Sequence, residues 1–305
     1  MKNRTFESNM QPLFLGFLPQ LVARTAYTNR ERVQAALAPW YAAHHDSAPD
    51  VAEITKVRAT TAREFGVPDE EIGRMEVALL FVATANTIPT LYWFLTNVWL
   101  RPDVVEELRK ETLPLVGLSQ KNEGGRVATL DISRLEEQCP LMVSCYRESI
   151  RLGNQSVGTR RIVHDTVLSD STGNQYLLKA GMDVMWSVKG MHHSTGIWGK
   201  DAMEFEASRF TEEDKFDRAQ KQGYIPFGGG KHLCPGRNFA FAENLGLMAA
   251  LVVGFEMDGL DEANVKLGWT RIGEAVAKPP MDAQGGEVVI KRRGGWEDVE
   301  WKFLC

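Results

Sequence analysis

The chain is poor in the residues that build disulfide frameworks and cysteine-metal sites. Its 305 residues include four cysteines, Cys139, Cys145, Cys234 and Cys305, and none form a CxxC pair. That argues against a disulfide scaffold or a structural zinc site, and the expected setting is reducing. No block of like charge is long enough for a polybasic or acidic tail. A net charge of −5 and a pI of about 5.8 leave no footprint for nucleic acid. The stretch at residues 1–22 does not read as a signal peptide, because its apolar part begins late and is broken by Pro12, Gly16 and Pro19. Internal repeats and low-complexity tracts are absent. Long apolar runs are scarce. Ala78–Leu100 holds no charged residue and has the length of a bilayer span. It also holds Asn86, Asn97, Pro89 and four threonines, which are costly in lipid and favour a helix buried in a large soluble domain.

What is present reads as an ordinary soluble globular composition, 44% hydrophobic and 25% charged. The length suits one large domain or two ordinary ones. Helical spacing predicts helices over residues 20–45 and 51–65, with Gly66 as a stop. A long helix is expected from Asp69 to Leu100, weakened or bent at Pro89. Another runs over 102–112, with proline in its first turn, and another over about 139–152. Residues 156–190 read as short strands separated by turns. Residues 200–220 are charged and loop-like. A strong helix follows Cys234, and the segments VKLGWTRIG and GEVVIKRR look like strands. The chain is expected to be mainly α with a small β portion.

One stretch demands chemistry. Residues 227–237 read FGGGKHLCPGR. Pro235 and Gly236 precede a strong helix, so the Cys234 sulfur sits at or just before a helix N-terminus. Free N–H groups and the positive helix end both favour an anionic sulfur there. The glycines let the backbone turn tightly and approach a flat object closely. A thiolate beside a flat surface suggests haem with sulfur as axial ligand. Other readings compete. A lone cysteine is more often a small buried hydrophobe, and on Cys234 alone that reading is the better one. A Cys/His nucleophile is a second, but no oriented triad motif supports it. A phosphate cradle is a third, and the GxxxxGK[ST] order is absent.

The wider pattern changes the balance. Phe227, Gly230, Cys234 and Gly236 fit F-x-x-G-x-x-x-C-x-G without mismatch, which resembles the haem-binding signature of the cytochrome P450 family. This family is itself the standing example of haem held by a cysteine thiolate. Glu148 and Arg151 match the family's E-x-x-R, one turn apart on one helix face. Residues 207–210, ASRF, resemble its P-E-R-F segment, so Arg209 would join that pair. HHSTGIWG at 192–199 resembles H-R-D-P-x-x-W-G. RRIVHD at 160–165 resembles the strand after the E-x-x-R helix. The resemblance implies that Arg160 and His232 reach haem propionates, which seek cationic or N–H donors. Lys231 and Arg237 would face an acidic reductase, or serve as plain solvated charges.

By the same resemblance, the helix from Asp69 crosses above the haem. Residues 83–89 read ATANTIP where the family usually shows Ala/Gly-Gly-x-Asp/Glu-Thr-Thr. Thr87 keeps the hydroxyl implied in proton delivery to dioxygen, while Asn86 replaces the acid and cannot titrate. The N-T-I-P stretch followed by Trp93 looks like the branch of sterol hydroxylases, prostacyclin synthase and many fungal enzymes. Implied partners are haem b, dioxygen, an NADPH-dependent reductase and an apolar small molecule such as a sterol, lipid or secondary metabolite. Peroxide rearrangement is the alternative chemistry. Substrate contacts are expected near Leu80, Ala83 and Thr84, at Ser156–Thr159, and at Arg271–Gly273. Residues 1–305 read as one P450 domain, N-terminally truncated, without the membrane anchor, the early helices or a W-x-x-x-R motif. A full-length form would sit on the cytosolic face of the endoplasmic reticulum. An inactive truncated product is the other outcome of that reading.

Overall fold

The computed structural model describes residues 12–13, 16–121, 124–170, 172–262, 265, 270, 274–278 and 288–305. They fall into two compact units, one within Met1–Asn86 and the other within Thr87–Thr270 and Glu274–Cys305.

The first unit is helical. Its main helices are α1 (Arg24–Ala42), α2 (Glu53–Glu64), α3 (Asp69–Met75) and α4 (Val77–Thr84). A cluster of Tyr41, Ala59 and Ile72 joins α1, α2 and α3. Gly73 lets α3 approach α1 closely, since a Cβ there would stand 2.6 Å from the Ala38 backbone. Arg63 ties the turn after α1 to the start of α3. It donates to both Asp46 oxygens at 2.8 Å and to Asp69 at 2.6 Å. These bonds hold the Asp46 carboxyl below its ordinary range.

The second unit carries α5 (Thr87–Trp99), α6 (Pro102–Thr112), α7 (Pro140–Gly153) and α8 (Arg237–Gly254). Its strands are β1 (Val116–Gln120), β2 (Arg126–Asp131), β3 (Val157–Arg161), β4 (Thr166–Ser169), β5 (Gln175–Leu178), β6 (Asp183–Ser187), β7 (Phe255–Asp258), β8 (Val289–Arg292) and β9 (Val299–Leu304). One apolar core joins Phe94 and Val98 of α5, Leu108 of α6, Met142, Tyr146 and Ile150 of α7, and Leu245, Met248 and Val252 of α8. β2 lies between β1, antiparallel, and β9, parallel. Three antiparallel pairs, β3–β6, β4–β5 and β7–β8, make up the rest. The fold class is thus mainly α with a small β portion, as the sequence suggests.

The long helix expected from Asp69 to Leu100 differs. It is broken at Glu76 and again at Ala85–Asn86, between α4 and α5. The second break lies four residues before Pro89, where a continuous helix would lose a hydrogen bond and set a proline ring against the carbonyl one turn earlier. Among the described residues, Asp69–Trp99 is the one stretch long and apolar enough to cross a membrane, and a third (33%) of its most apolar part is buried. The buried-helix reading suits α5, which buries Pro89, Thr90, Trp93, Phe94, Thr96 and Val98. It does not suit α4, which buries Val77 and exposes Leu80 and Val82. The sheet β1–β2–β9 was not expected. Residues 200–220, read as loop, include a 3-10 turn at Glu213–Lys215 and the start of the short helix Arg218–Gly223. The second of these is opened by a capping box of Asp217 and Gln220. GEVVIKRR does form β8, whereas most of VKLGWTRIG lies outside the described residues.

Candidate haem-thiolate site

The cysteine loop is held by its own backbone. Cys234 N donates to Phe227 O at 3.0 Å, and Leu233 N to Gly230 O at 3.3 Å. Gly228 (φ 76°) and Gly230 (φ 61°) occupy the left-handed region that disfavours other residues. Phe227 anchors one end of the loop by packing against the core of the second unit. At the other end, Gly236 caps the 18-residue helix α8. Arg237 donates to the Cys234 carbonyl at 3.2 Å, so it braces the loop rather than standing as a free surface charge. His232, Lys231 and Leu233 are exposed, and Cys234 is half-buried.

The four thiols divide sharply. Cys139 and Cys145 are fully buried. Burial, reinforced by the Glu111 charge, pushes Cys139 up to about 12 and Cys145 higher still, so both remain neutral thiols. Cys305 is the exposed last residue. Cys234 alone combines access with a position beside a long helix. A Cβ built on Gly229 or Gly230 would meet nothing within 4 Å, so that face of the loop is open to a flat partner. Residues 227–237 contain no carboxylate, and Arg160 reaches the loop by donating to Gly229 O at 3.5 Å. These residues fit a sulfur-ligated macrocycle with anionic edges. Among the described residues, no His/Cys/Asp/Glu group offers a competing metal site.

Behind the loop lies a buried ion cluster. Glu148 accepts from Arg151 Nε at 2.6 Å and Nη2 at 2.7 Å, from Arg209 Nε at 2.9 Å, and from the Glu206 amide at 3.2 Å. Glu148 and Arg151 are wholly inaccessible. Arg151 also donates to the carbonyls of His192 and Ala202, and its guanidinium lies 5.1 Å from the Trp198 ring centroid. Burial alone would lower the Arg209 pKa, but Glu148 and Asp201 more than offset it and raise it instead. His192 connects this cluster to the segment before the loop. Its Nδ1 lies 3.1 Å from Arg151 O, and its Nε2 accepts from Ile225 N at 3.1 Å. Burial lowers its pKa to about 4, which keeps the ring neutral, and because Nε2 accepts from Ile225 N the proton sits on Nδ1. The ring also stacks on Tyr224 at 5.6 Å. The H-H-S-T segment marked this region in the sequence, but nothing there showed that His192 bridges the cluster to the loop.

The distal residues are arranged differently. Thr87 opens α5, and Asn86 belongs to the break before it. No hydrogen bond links Thr87 to the cysteine loop among the described residues. Thr84 bonds back to Leu80 O at 2.8 Å. Leu80 lines a cleft of about 310 Å³ in the first unit, together with Trp40, Tyr41 and Glu76. Arg271–Gly273 lie outside the described residues. Sequence reasoning passed over Trp93 as a structural tie. Its indole donates to Ala277 O at 2.5 Å and secures the late segment onto α5.

The cytochrome P450 family model matches residues 14–281, most of the chain. The chain belongs to the cytochrome P450 family. A cytochrome P450 monooxygenase of Gibberella zeae is 36% identical over 98% of this chain and 58% of its own length. The cytochrome P450 monooxygenase nodJ of Hypoxylon pulicicidum is 26% identical over the same two shares. Cholesterol 7-alpha-monooxygenase of Cricetulus griseus is 26% identical over 90% of this chain and 56% of its own length. The P450 relatives thus include fungal monooxygenases and a sterol hydroxylase, the branch that N-T-I-P and Trp93 resemble. The chain spans less than two thirds of the length of these relatives.

Proposed function

We propose that this P450 chain serves a haem-thiolate monooxygenase that hydroxylates an apolar small molecule, a sterol, lipid or secondary metabolite. Dioxygen is the oxidant, and an NADPH-dependent reductase supplies two electrons. The carrying observation is Cys234: a half-buried sulfur on a glycine loop beside the start of α8, while Cys139 and Cys145 are locked as neutral thiols. Haem b, when bound, supplies the dioxygen chemistry, and the thiolate's electron donation favours O–O cleavage. The chain's residues do the rest. Cys234 ligates iron. Phe227, Gly230 and Gly236 shape the loop around it. Arg160 and His232 bind the propionates. Glu148, Arg151 and Arg209 hold rigid the ground on which the loop stands. Thr87 offers a hydroxyl that passes protons toward dioxygen, and Asn86 stands where the family has an acid and cannot titrate. Leu80, Ala83, Thr84, Ser156–Thr159 and Arg271–Gly273 contact substrate. Residues 1–305 act as one P450 domain, on the cytosolic face of the endoplasmic reticulum in the whole protein.

Isotope labelling separates this reading from peroxide rearrangement. The protein is supplied with a reductase, NADPH and labelled dioxygen, and offered a panel of sterols and terpenoids. Reductase-dependent product carrying one labelled oxygen supports the proposal. Isomerisation of an added endoperoxide without reductase, and no labelled product, overturns it in favour of rearrangement.

A further inference from the structure

Arg160 is unusual among the arginines of β3 and its surroundings. Its neighbour Arg161 is neutralised by Asp183, with bonds of 2.8 and 2.7 Å. Alternation sends Arg160 to the opposite face of the strand. There it makes no ion pair among the described residues. Its Nη1 donates to Thr159 O at 2.7 Å, and its Nη2 makes the long contact with Gly229 of the cysteine loop. A cation aimed at this loop with no carboxylate of its own is free to take an external anion.

What holds it there is Trp186. β3 and β6 pair antiparallel, with Gly158 opposite Trp186 and Arg160 opposite Val184. Gly158 and Arg160 share one face, and Trp186 projects from that face directly across from Gly158. The indole lies down on the bare glycine: a Cβ at position 158 would stand 2.1 Å from its Cε2. From there the ring reaches diagonally beneath Arg160, whose guanidinium carbon is 5.4 Å from the ring centroid. Any side chain at 158 would lift the indole, so glycine and tryptophan act as a pair. Without a flat ring beneath it, an exposed arginine would sample many rotamers.

We infer that Trp186, seated on Gly158, is a positioning residue that holds Arg160 at the cysteine loop to receive a haem propionate. The inference rests on the reading of Cys234 as haem ligand.

The test compares binding of ferric haem with binding of its dimethyl ester, which has the same ring and iron but no propionate charge. Affinities are measured by transfer of each porphyrin to a competing apoprotein. Wild type should prefer the free acid, and Arg160→Gln should cut that preference about tenfold, as expected for a charge-assisted hydrogen bond. Trp186→Leu should cut it about threefold, the scale of an exposed cation–π contact, while ester affinity stays unchanged. Gly158→Ala should act likewise with the indole still present, and Trp186→Phe should retain most of the preference. In the Arg160→Gln background, Trp186→Leu should add nothing. Equal weakening of both porphyrins by Trp186→Leu would mean a merely structural role and overturn the inference. So would an unchanged preference in both Trp186→Leu and Gly158→Ala. Wild type binding both forms equally would remove the propionate role while leaving the haem reading intact. Wild type binding neither would overturn the haem reading and this inference with it.

Discussion

Replacing Glu148 with glutamine preserves its shape and removes its charge. The carboxylate is wholly buried between two guanidiniums and one backbone amide. Glutamine would leave Arg151, itself fully buried, with no carboxylate partner, and would point an NH2 group at an existing donor. Breaking a buried pair from one side costs about 3–5 kcal/mol, against about 0–1 for an exposed pair. With a urea slope of about 3 kcal/mol/M, the midpoint should fall by about 1–1.7 M. The chain forms two compact units, so a global midpoint needs a local companion. Amide exchange provides one. The Glu206 amide donates to Glu148 and the Phe210 amide to Ser144 Oγ at 2.9 Å, so peptides over 204–211 report directly on the cluster. Their protection should fall a hundredfold or more, about two to three and a half decades, in Glu148→Gln. A cost below about 1 kcal/mol with unchanged exchange over 204–211 would show that burial does not govern this cluster, and the reasoning would fail.

Three further outcomes follow from the site. His192 should make the fold acid-labile: its pKa is about 4 when folded and 6.5 ordinarily, so the unfolded chain binds the extra proton between those values. Stability is therefore full above pH 6.5 and lost as pH falls toward 4, by about 3 kcal/mol, and His192→Gln should flatten that part of a urea-midpoint profile. Thr87→Ala should leave substrate affinity unchanged, lower product per NADPH about tenfold or more and raise peroxide release; unaltered coupling would remove Thr87 from proton delivery. Trp93→Phe breaks the bond to Ala277 O and should cost about 1–3 kcal/mol, with exchange rising over 274–278. If those amides stay protected, the indole is not their anchor.

The motifs readable from the sequence are those with short, fixed spacing. Phe227 to Gly236 and Glu148 to Arg151 sit within single loops or turns, so residue identity and offset suffice. Arg209 was readable because its segment repeats a family pattern. Pairing between distant segments was not. β2 pairs with β9 across most of the second unit, and β1, VGLSQ, has too little alternation to declare itself a strand. The partnership of Gly158 with Trp186 depends on strand register, which side-chain types alone do not state. Pro89 signalled a weak ladder, and its physical effect, loss of the Ala85 hydrogen bond, set where the helix parts. The break at Glu76 has no such local marker.

The account stands on the sulfur of Cys234, and one spectrum addresses it directly. The purified chain is reconstituted with haem, reduced with dithionite and exposed to carbon monoxide. A strongly red-shifted Soret band, lost in Cys234→Ser and kept in Cys139→Ser and Cys145→Ser, is the predicted result. A band typical of histidine-ligated or protonated-thiol haem, or no haem uptake at all, would contradict it.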